Sequence, residues 1–112
     1  MSKARRTKPV ATSVLTTAQE IIHGERQANY GHPSTNWETI AEFWSTYIRR
    51  TNPEIAQLAA DNGLTLEVNA TDAIQMMVLL KTSRLIASPD HMDSLVDQAG
   101  YAGLHERVLT GQ

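Results

Sequence analysis

The sequence predicts an all-α fold, a bundle of four to five helices. Apolar residues recur at intervals of three and four along most of the chain, which is the spacing of one face of an α-helix. Strong helix boundaries separate these segments, such as Asn52-Pro53 before a short third helix and Gly63 after it. Residues 64–68 alternate apolar and polar side chains, but one isolated strand cannot build a sheet, so we interpret them as a connector. A helical bundle is therefore the expected architecture.

Length and composition limit the classes of function. The chain has 112 residues, no cysteine and a formal net charge of −2. This length suits one domain with a single core, and the lack of cysteine excludes disulfides and thiolate zinc sites. The charge argues against general nucleic-acid binding, no apolar run approaches the ~20 residues of a membrane span, and the start of the chain lacks the apolar core of a signal peptide. We therefore expect a soluble, cytoplasmic protein that binds neither membranes nor nucleic acid.

The chain is predicted to divide into a tail and one domain. Residues 1–12 are basic and carry little apolar content, which is typical of a flexible tail. A solvated tail is favoured over one that contacts phosphate or an acidic partner. Residues 13–112 are then the single all-α domain.

The first two helices are predicted from capping-box patterns. Residues 17–20 fit this pattern at the start of the first helix, and residues 35–38 fit it at the start of the second, which runs to about Arg49. The two tryptophans of the second helix have helical spacing, and we interpret them as core anchors in preference to base-stacking platforms. Glu38 and Glu42 are one turn apart, either as a solvated pair or as part of a metal site.

The segment between these helices, residues 25–33, combines several kinds of chemistry. Its glycine and proline break any regular period, and it contains Tyr30 and His32. This loop could border a site; alternatively, Tyr30 could cover the edge of the core and Gly31 could supply a turn. Asn36, in the first turn of the following helix, would point its amide toward whatever this loop borders.

The fourth helix is the most apolar segment of the chain. It is predicted to begin after Asn69 or Thr71, either of which can cap it, and to continue to Ile86. Residues 73–80 are apolar nearly all round, so this helix should be buried on more than one side, in the middle of the bundle or against another copy of the chain. We therefore expect a homodimer or a higher oligomer.

Two cations follow on this helix, and two aspartates follow on the next one. Lys81 and Arg84 lie near the helix end, where cations suit the helix dipole. Asp93 and Asp97 are four residues apart, so they share a helix face on which like charges repel. The cations could pair with these aspartates or could hold phosphate oxygens, and the two roles are compatible.

The last helix is predicted over about residues 90–108. Asp90 is the expected N-cap, with Asp93 completing a capping box, so one interpretation of the aspartates is a capping residue plus a salt bridge. The other is a divalent-metal or general-base pair. Gly100 and Gly103 inside the helix predict close approach of another backbone or of a ligand. The apolar stripe expected to face the core comprises Leu95, Val96, Ala99 and Ala102.

The order of these motifs resembles a family of small proteins from tailed bacteriophages and prophages. The resemblance covers about residues 17–108 and is carried by Tyr30-Gly31-His32-Pro33, residues 36–44, Asp72 with residues 76–81, and residues 93–101. The last helix is also similar to the final metal-binding helix of the all-α nucleoside triphosphate pyrophosphatases, the MazG-like and dimeric dUTPase group. This likeness implies a MazG-like bundle, usually dimeric, that binds magnesium and splits nucleoside triphosphates into monophosphate and pyrophosphate.

The resemblance also implies roles for individual residues. Asp93 and Asp97 would be the catalytic residues, holding Mg²⁺ or Mn²⁺ and orienting or deprotonating the attacking water, with Asp72 as a third candidate metal ligand. The implied contacts to the phosphates and the nucleoside of the substrate come from Lys81, Arg84, Asn36, Tyr30 and His32.

Two alternatives belong to other classes of protein. Asp97 matches the aspartate of the group's Glu-x-x-Asp motif, but Ser94 stands at the glutamate position, and the group's Glu-Glu-x-x-Glu motif is not present. One alternative is a catalytically inactive MazG-like scaffold that binds a nucleotide or a host protein as a phage accessory or inhibitor. The other is a helical dimer without a ligand, whose charges form interhelical salt bridges.

Overall fold

Five α-helices form the part of the chain that the computed structural model describes, which is residues 13–23 and 33–111. The helices are α1 Val14–His23, α2 Pro33–Thr51, α3 Pro53–Asp61, α4 Ala70–Ala87 and α5 Met92–Thr110. These ranges contain no strand, so the predicted all-α class is confirmed. None of these described helices is long and apolar enough to cross a membrane. The tail predicted at residues 1–12 lies outside the described residues.

The core lies where α2 meets the first half of α4 and the second half of α5. Its buried residues on α2 and α4 are Trp37, Ala41, Ala70, Ala73 and Ile74. The ring of Trp37 meets that of Tyr101 on α5 edge-on, with centroids 6.0 Å apart. Trp44 packs against the border of the same cluster, so the interpretation of both tryptophans as core residues is confirmed. The three alanines keep side-chain bulk low between α2 and α4, which lets the two helices approach closely.

α1 packs on α5, and Gly103 makes room for it. A Cβ atom built on Gly103 would lie 2.6 Å from Cδ1 of Ile22, and one built on Gly100 would lie 3.9 Å from Cγ2 of the same residue. Close approach is therefore present at Gly103 and not at Gly100, and the approaching group is the Ile22 side chain instead of the predicted backbone or ligand. Arg107 Nη1 donates a hydrogen bond to the Ile22 carbonyl, 3.0 Å away, near the end of α1.

The buried side of α5 differs from the predicted stripe. Ala102 is exposed, while Ser94 and Gly100 are buried. The side chains of α5 that pack against the core are Tyr101, Leu104 and Val108. The other three residues of the predicted stripe, Leu95, Val96 and Ala99, are half-buried, so the prediction was wrong for Ala102. It allowed for one covered face, whereas α5 lies against α1, α2 and α4. Small residues then occupy positions where a neighbouring helix comes closest.

The first two helices begin earlier than their predicted caps. α1 begins at Val14, where Ser13 Oγ accepts a hydrogen bond from the Thr16 N–H at 3.1 Å, so Thr17 lies inside the helix. α2 begins at Pro33 rather than at Thr35. Serine is as good an N-cap as threonine, and proline is well suited to the first helical position. Each of these two capping-box patterns lies inside a helix, so the predicted starts of α1 and α2 were two to four residues too late.

The ends of α3 and α4 agree better with the sequence. Asn69 Oδ1 accepts from the Asp72 N–H at 2.8 Å, and the Asp72 carboxylate accepts from the Asn69 N–H at 3.0 Å, so a capping box begins α4. α3 begins after Asn52 as predicted, but the Asn52 amide donates to the Ile48 carbonyl of α2 instead of capping α3. Gly63 has a φ of 73°, which ends the segment in the left-handed region.

The connector from α3 to α4 is held against α2 by side chains. Ser45, which is buried, donates through Oγ to the Val68 carbonyl at 3.0 Å and accepts from the Val68 N–H at 2.9 Å. Arg49 Nη1 donates to the Leu66 carbonyl at 3.1 Å. Residues 64–69 have no regular secondary structure, so the prediction of a connector is confirmed. α2 thus satisfies the Val68 N–H and the carbonyls of Val68 and Leu66 in place of a second strand.

Candidate site between α4 and α5

α4 and α5 run antiparallel, and polar side chains join them along their length. Gln75, early in α4, meets His105, late in α5, whereas Lys81, later in α4, meets Asp97, earlier in α5, and this fixes the relative direction of the two helices. The cross-helix pairs are Gln75 Nε2 with His105 Nδ1 at 3.0 Å, Lys81 Nζ with Asp97 Oδ2 at 3.0 Å, and Thr82 Oγ1 with Gln98 Nε2 at 2.8 Å. This register determines which candidate site residues of α4 lie next to those of α5.

Lys81 and Asp97 form a salt bridge that is shielded from water. Their side chains are 12% and 30% exposed, so the pair is less screened than a typical surface ion pair. The salt bridge that the sequence offered as one role of Lys81 is therefore present. Removing either partner would leave the other charge partly buried and unpaired, which is the costly case.

Asp93 lies one turn before Asp97 on the same helix, is exposed, and sits in the first turn of α5. Arg84 follows Lys81 by three residues and is also exposed. Within the described part of the chain, neither Asp93 nor Arg84 takes part in an ion pair. The structure thus joins one of the two predicted cations to one of the two predicted aspartates and leaves the other two at the surface.

The start of α5 was predicted wrongly. The N-cap is His91, whose Nδ1 accepts from the Ser94 N–H at 3.3 Å and lies 2.7 Å from Ser94 Oγ. Asp90 is instead an acceptor for the Ser88 hydroxyl at 3.3 Å. The imidazole occupies the acceptor position that the prediction gave to a carboxylate. Asp93 is therefore not the capping-box partner of Asp90, and the capping interpretation no longer accounts for it.

Asp72 is not brought to the other two aspartates. It lies at the beginning of α4, three residues before Gln75, which contacts His105 near the far end of α5. Lys81, which contacts Asp97, lies nine residues after Asp72, or about 13 Å further along the α4 axis. Metal ligands of one magnesium ion lie about 2.1 Å from it, so Asp72 and Asp97 of one chain do not share an ion in this arrangement.

The residues assigned to the nucleoside fall at one end of α2 and in the loop before it. Tyr30 and His32 lie outside the described residues. Asn36 is half-buried in the first turn of α2, next to Trp37. Since the Trp37 ring contacts Tyr101, which follows Asp97 by four residues on α5, the beginning of α2 lies close to the α4–α5 contact.

The described acidic groups are too few at any one place for a metal site built from protein ligands alone. In the described ranges, no three histidine, aspartate or glutamate side chains are grouped as a metal site would need, and Glu38 and Glu42 are exposed on α2. Magnesium usually keeps several waters and binds through one or two carboxylates plus substrate phosphates. Asp93 and Asp97 fit that pattern and do not fit a site built from protein ligands alone.

Sequence reasoning missed the polar pair beside the salt bridge. Gln98 donates to Thr82 Oγ1, and Thr82 in turn donates to the Val78 carbonyl at 3.0 Å. Thr82 directly follows Lys81, and Gln98 directly follows Asp97. The pairing of Lys81 with Asp97 could therefore have predicted this second contact. This chain of hydrogen bonds fixes the helices relative to each other beside the salt bridge.

Comparison with known proteins gives a family and two curated relatives. The family described as "Domain of unknown function (DUF6378)" matches residues 13–109. The Gene 55 protein of Mycobacterium phage D29 is 36% identical over 99 residues, covering 88% of this chain and 55% of the relative. The Gene 55 protein of Mycobacterium phage L5 is 38% identical over 96 residues, covering 86% and 52%. The chain thus spans about half the length of these relatives, and no solved structure matches it significantly. The resemblance to phage proteins is confirmed.

Proposed function

This chain belongs to the DUF6378 family, and from that premise we propose that it is a Mg²⁺-dependent nucleoside triphosphate pyrophosphohydrolase with a MazG-like fold, acting in the cytoplasm of the infected host. It would convert nucleoside or deoxynucleoside triphosphates into monophosphates and pyrophosphate. The observation that carries the proposal is the shielded contact of Lys81 with Asp97, one turn from the exposed Asp93. Lys81 can bind phosphate oxygens, and Asp93 and Asp97 offer two carboxylates that can bind magnesium.

The salt bridge supports a mechanism in which substrate separates its two partners. Lys81 and Asp97 neutralise each other at 3.0 Å. A bound triphosphate would attract the Lys81 ammonium group, and Asp97, together with Asp93, would hold Mg²⁺. The ion, when bound, supplies positive charge that stabilises the phosphate oxygens in the transition state. Arg84, exposed at the edge of this region, can neutralise a further phosphate oxygen.

Asp93 is the candidate base of the reaction. Its carboxylate is exposed, so a water molecule can reach it and give it a proton. The water oxygen then forms a bond to the α-phosphorus, the bond from that phosphorus to the bridging oxygen breaks, and pyrophosphate leaves with the electron pair. Asn36, with Tyr30 and His32, is assigned to the nucleoside.

One observation favours a second candidate function, that of a MazG-like scaffold that binds a nucleotide or a host protein without hydrolysing it. The described residues contain no group of three acidic or histidine side chains. Ser94, at the glutamate position of the pyrophosphatase motif, is fully buried and contacts His91. Under this proposal, the Lys81–Asp97 salt bridge stabilises the contact of α4 with α5.

We also propose that the functional unit is a homodimer. The exposed apolar side chains of α4 support this proposal, because a single chain leaves them in water.

The test combines a nucleotide panel with a matched pair of double variants. Common and modified nucleoside triphosphates are incubated with Mg²⁺ or Mn²⁺, and pyrophosphate release and melting temperature are measured. Mg²⁺ and substrate together should raise the melting temperature of the parent by more than the sum of their separate effects, because the phosphates complete the coordination. Asp93→Asn with Asp97→Asn should abolish both the synergy and the release.

The control keeps the number of removed charges the same. Glu38→Gln with Glu42→Gln removes two exposed carboxylates that are also four residues apart, but on α2. This control should behave like the parent. A synergistic shift without pyrophosphate release would favour the scaffold, and a parent without either response across the panel would contradict both candidate functions.

Lys81→Met separates a phosphate contact from a structural salt bridge. If Lys81 holds phosphate, nucleotide affinity should fall by more than stability does; if it only joins the helices, stability alone should fall. Nucleotide binding by Lys81→Met that equals binding by the parent would remove Lys81 from the site.

A further inference from the structure

The C-terminal end of α3 is followed by Asn62-Gly63, the one place in the sequence where glycine follows asparagine. Both residues are exposed. Apart from the chain neighbours of Gly63, no atom lies within 4 Å of the position that a Cβ atom on this residue would occupy. Because glycine has no side chain, its backbone nitrogen is unusually open to attack by or on a neighbouring group. The side-chain amide of Asn62 is the group next to it in the chain.

Hydrogen bonds keep these two groups apart in the folded protein. The Gly63 N–H donates to the Ala60 carbonyl at 3.0 Å. The Asn62 side-chain amide donates to the Leu58 carbonyl at 2.8 Å. The backbone nitrogen of Gly63 and the side chain of Asn62 are thus both engaged with the last turn of α3. A reaction between them requires that this turn unwinds.

α3 is held weakly enough for such unwinding. None of its residues is buried, and among the described helices it packs only against α2. Ala56 and Ala59 are half-buried, whereas the larger Ile55 and Leu58 are 54% and 63% exposed. Unwinding the last turn therefore exposes little additional apolar surface, and its main cost is the loss of a few hydrogen bonds.

We propose that Asn62 is a site of spontaneous deamidation, which proceeds when the last turn of α3 unwinds. The backbone nitrogen of Gly63 forms a bond to Cγ of Asn62, and the side-chain nitrogen leaves as ammonia together with the hydrogen that Gly63 loses. Water then opens the cyclic imide at one of its two carbonyl carbons, which converts Asn62 into aspartate or isoaspartate. Water is the only co-reactant, and the inference is independent of the proposed function.

The product would weaken the C-terminal end of α3. A carboxylate cannot donate the hydrogen bond that the Asn62 amide gives to the Leu58 carbonyl. It also adds a negative charge next to Asp61, at the end of a helix where anions are unfavourable. Beyond this point, Arg49 and Ser45 hold the connector to α2. The change should therefore stay within α3 and leave the core intact.

Peptide mass spectrometry of the full chain, incubated at mildly alkaline pH, tests the proposal. In concentrated urea, Asn62 should react before the other asparagines, because it alone precedes a glycine. In the folded protein the rate at Asn62 should be roughly ten- to a hundredfold lower, since two or three hydrogen bonds must break first. A reaction that needed global unfolding would instead be slowed by at least about a thousandfold.

Ala102→Asn is the matched control, because it places the same dipeptide inside α5. Ala102 is exposed like Asn62, but the following Gly103 packs against Ile22. In urea the introduced asparagine should react about as fast as Asn62. In the folded protein it should react at least roughly tenfold more slowly than Asn62, because α5 cannot unwind there without disturbing its packing on α1. Circular dichroism checks that this variant is folded.

Each outcome decides the question. Equal rates at the two asparagine-glycine sites of folded Ala102→Asn would overturn the proposal, because unwinding would then not be specific to α3. So would a rate at Asn62 that falls by a thousandfold or more on folding, or faster reaction of another asparagine in the folded parent. Asn62→Gln should remove the product, since glutamine cannot form this cyclic imide, and a product that persisted in the same peptide would assign the reaction to another residue.

Discussion

Gly103→Ala is expected to destabilise the protein, although alanine is the better helix former. A Cβ atom at this position would lie 2.6 Å from Ile22 Cδ1, a distance that forces the Ile22 side chain to move. Ile22 is buried, with 8% of its surface exposed, so the moving methyl group has little free space. The same change at Gly100 meets only an ordinary contact at 3.9 Å. The two glycines of α5 therefore form a matched pair for one substitution.

The magnitudes follow from two opposing effects. Replacing glycine by alanine inside a helix gains about 1 kcal/mol. Forcing an extra methyl group into a packed contact costs about 1–3 kcal/mol. Gly100→Ala should therefore stabilise the protein by about 0.5–1 kcal/mol. Gly103→Ala should destabilise it by about 1 kcal/mol, which corresponds to a melting temperature lower by roughly 4–8 °C in a domain of this size.

The assay is thermal or urea unfolding of four variants. Ile22→Val removes the Cδ1 atom itself, at a cost of about 0.5–1.5 kcal/mol when made alone. In that background, Gly103→Ala should become stabilising, with a coupling energy of about 1–3 kcal/mol between the two changes. A melting temperature that rises as much for Gly103→Ala as for Gly100→Ala, or a coupling near zero, would refute the packing of α1 on α5 described above.

Three further changes test the hydrogen bonds that set the fold, each by urea unfolding. Ser45→Ala should cost about 2 kcal/mol, because it leaves the Val68 N–H and carbonyl without their partner; a loss below experimental error would contradict the anchoring of the connector. Asn69→Ala should cost about 1 kcal/mol through loss of the α4 N-cap, whereas Asn69→Asp should be nearly neutral. His91→Ala should cost about 1 kcal/mol and His91→Asn much less, and equal losses from both would argue against the imidazole as the α5 cap.

The sequence predicted the helices better than the contacts between them. Apolar spacing located all five described helices, and Asn69, one of the two caps predicted for α4, is its N-cap. The caps of α1 and α5 were missed because several good acceptors stand close together in the sequence. Ser13 and His91 capped the helices in place of the predicted residues, and local spacing cannot rank such neighbours.

The candidate site depends on the register of α4 against α5, which no local pattern contains. Charge alone suggested that Lys81 could meet Asp97, and it does. The resemblance to the pyrophosphatases grouped Asp72 with the α5 aspartates, but the antiparallel register places Asp72 at the other end of the α4–α5 contact. The sequence also did not show that Met76, Leu79, Leu80 and Ile86 of α4 would be exposed, because a helix that is apolar all round does not reveal which side its own chain will cover.

The chain leaves the core before α3 and returns to it after α3 at nearly the same place. Ser45 and Arg49 of α2 hold Val68 and Leu66 across an excursion of some twenty residues, and no residue of α3 is buried. The path between these anchors therefore contributes little to the spacing of α2 and α4. Amide protons of α3 should exchange with solvent through local opening, at a free energy well below that of global unfolding. The α3 segment is also where a protein engineer would insert a tag or a second domain, since the backbone that an insertion there would disturb is exposed.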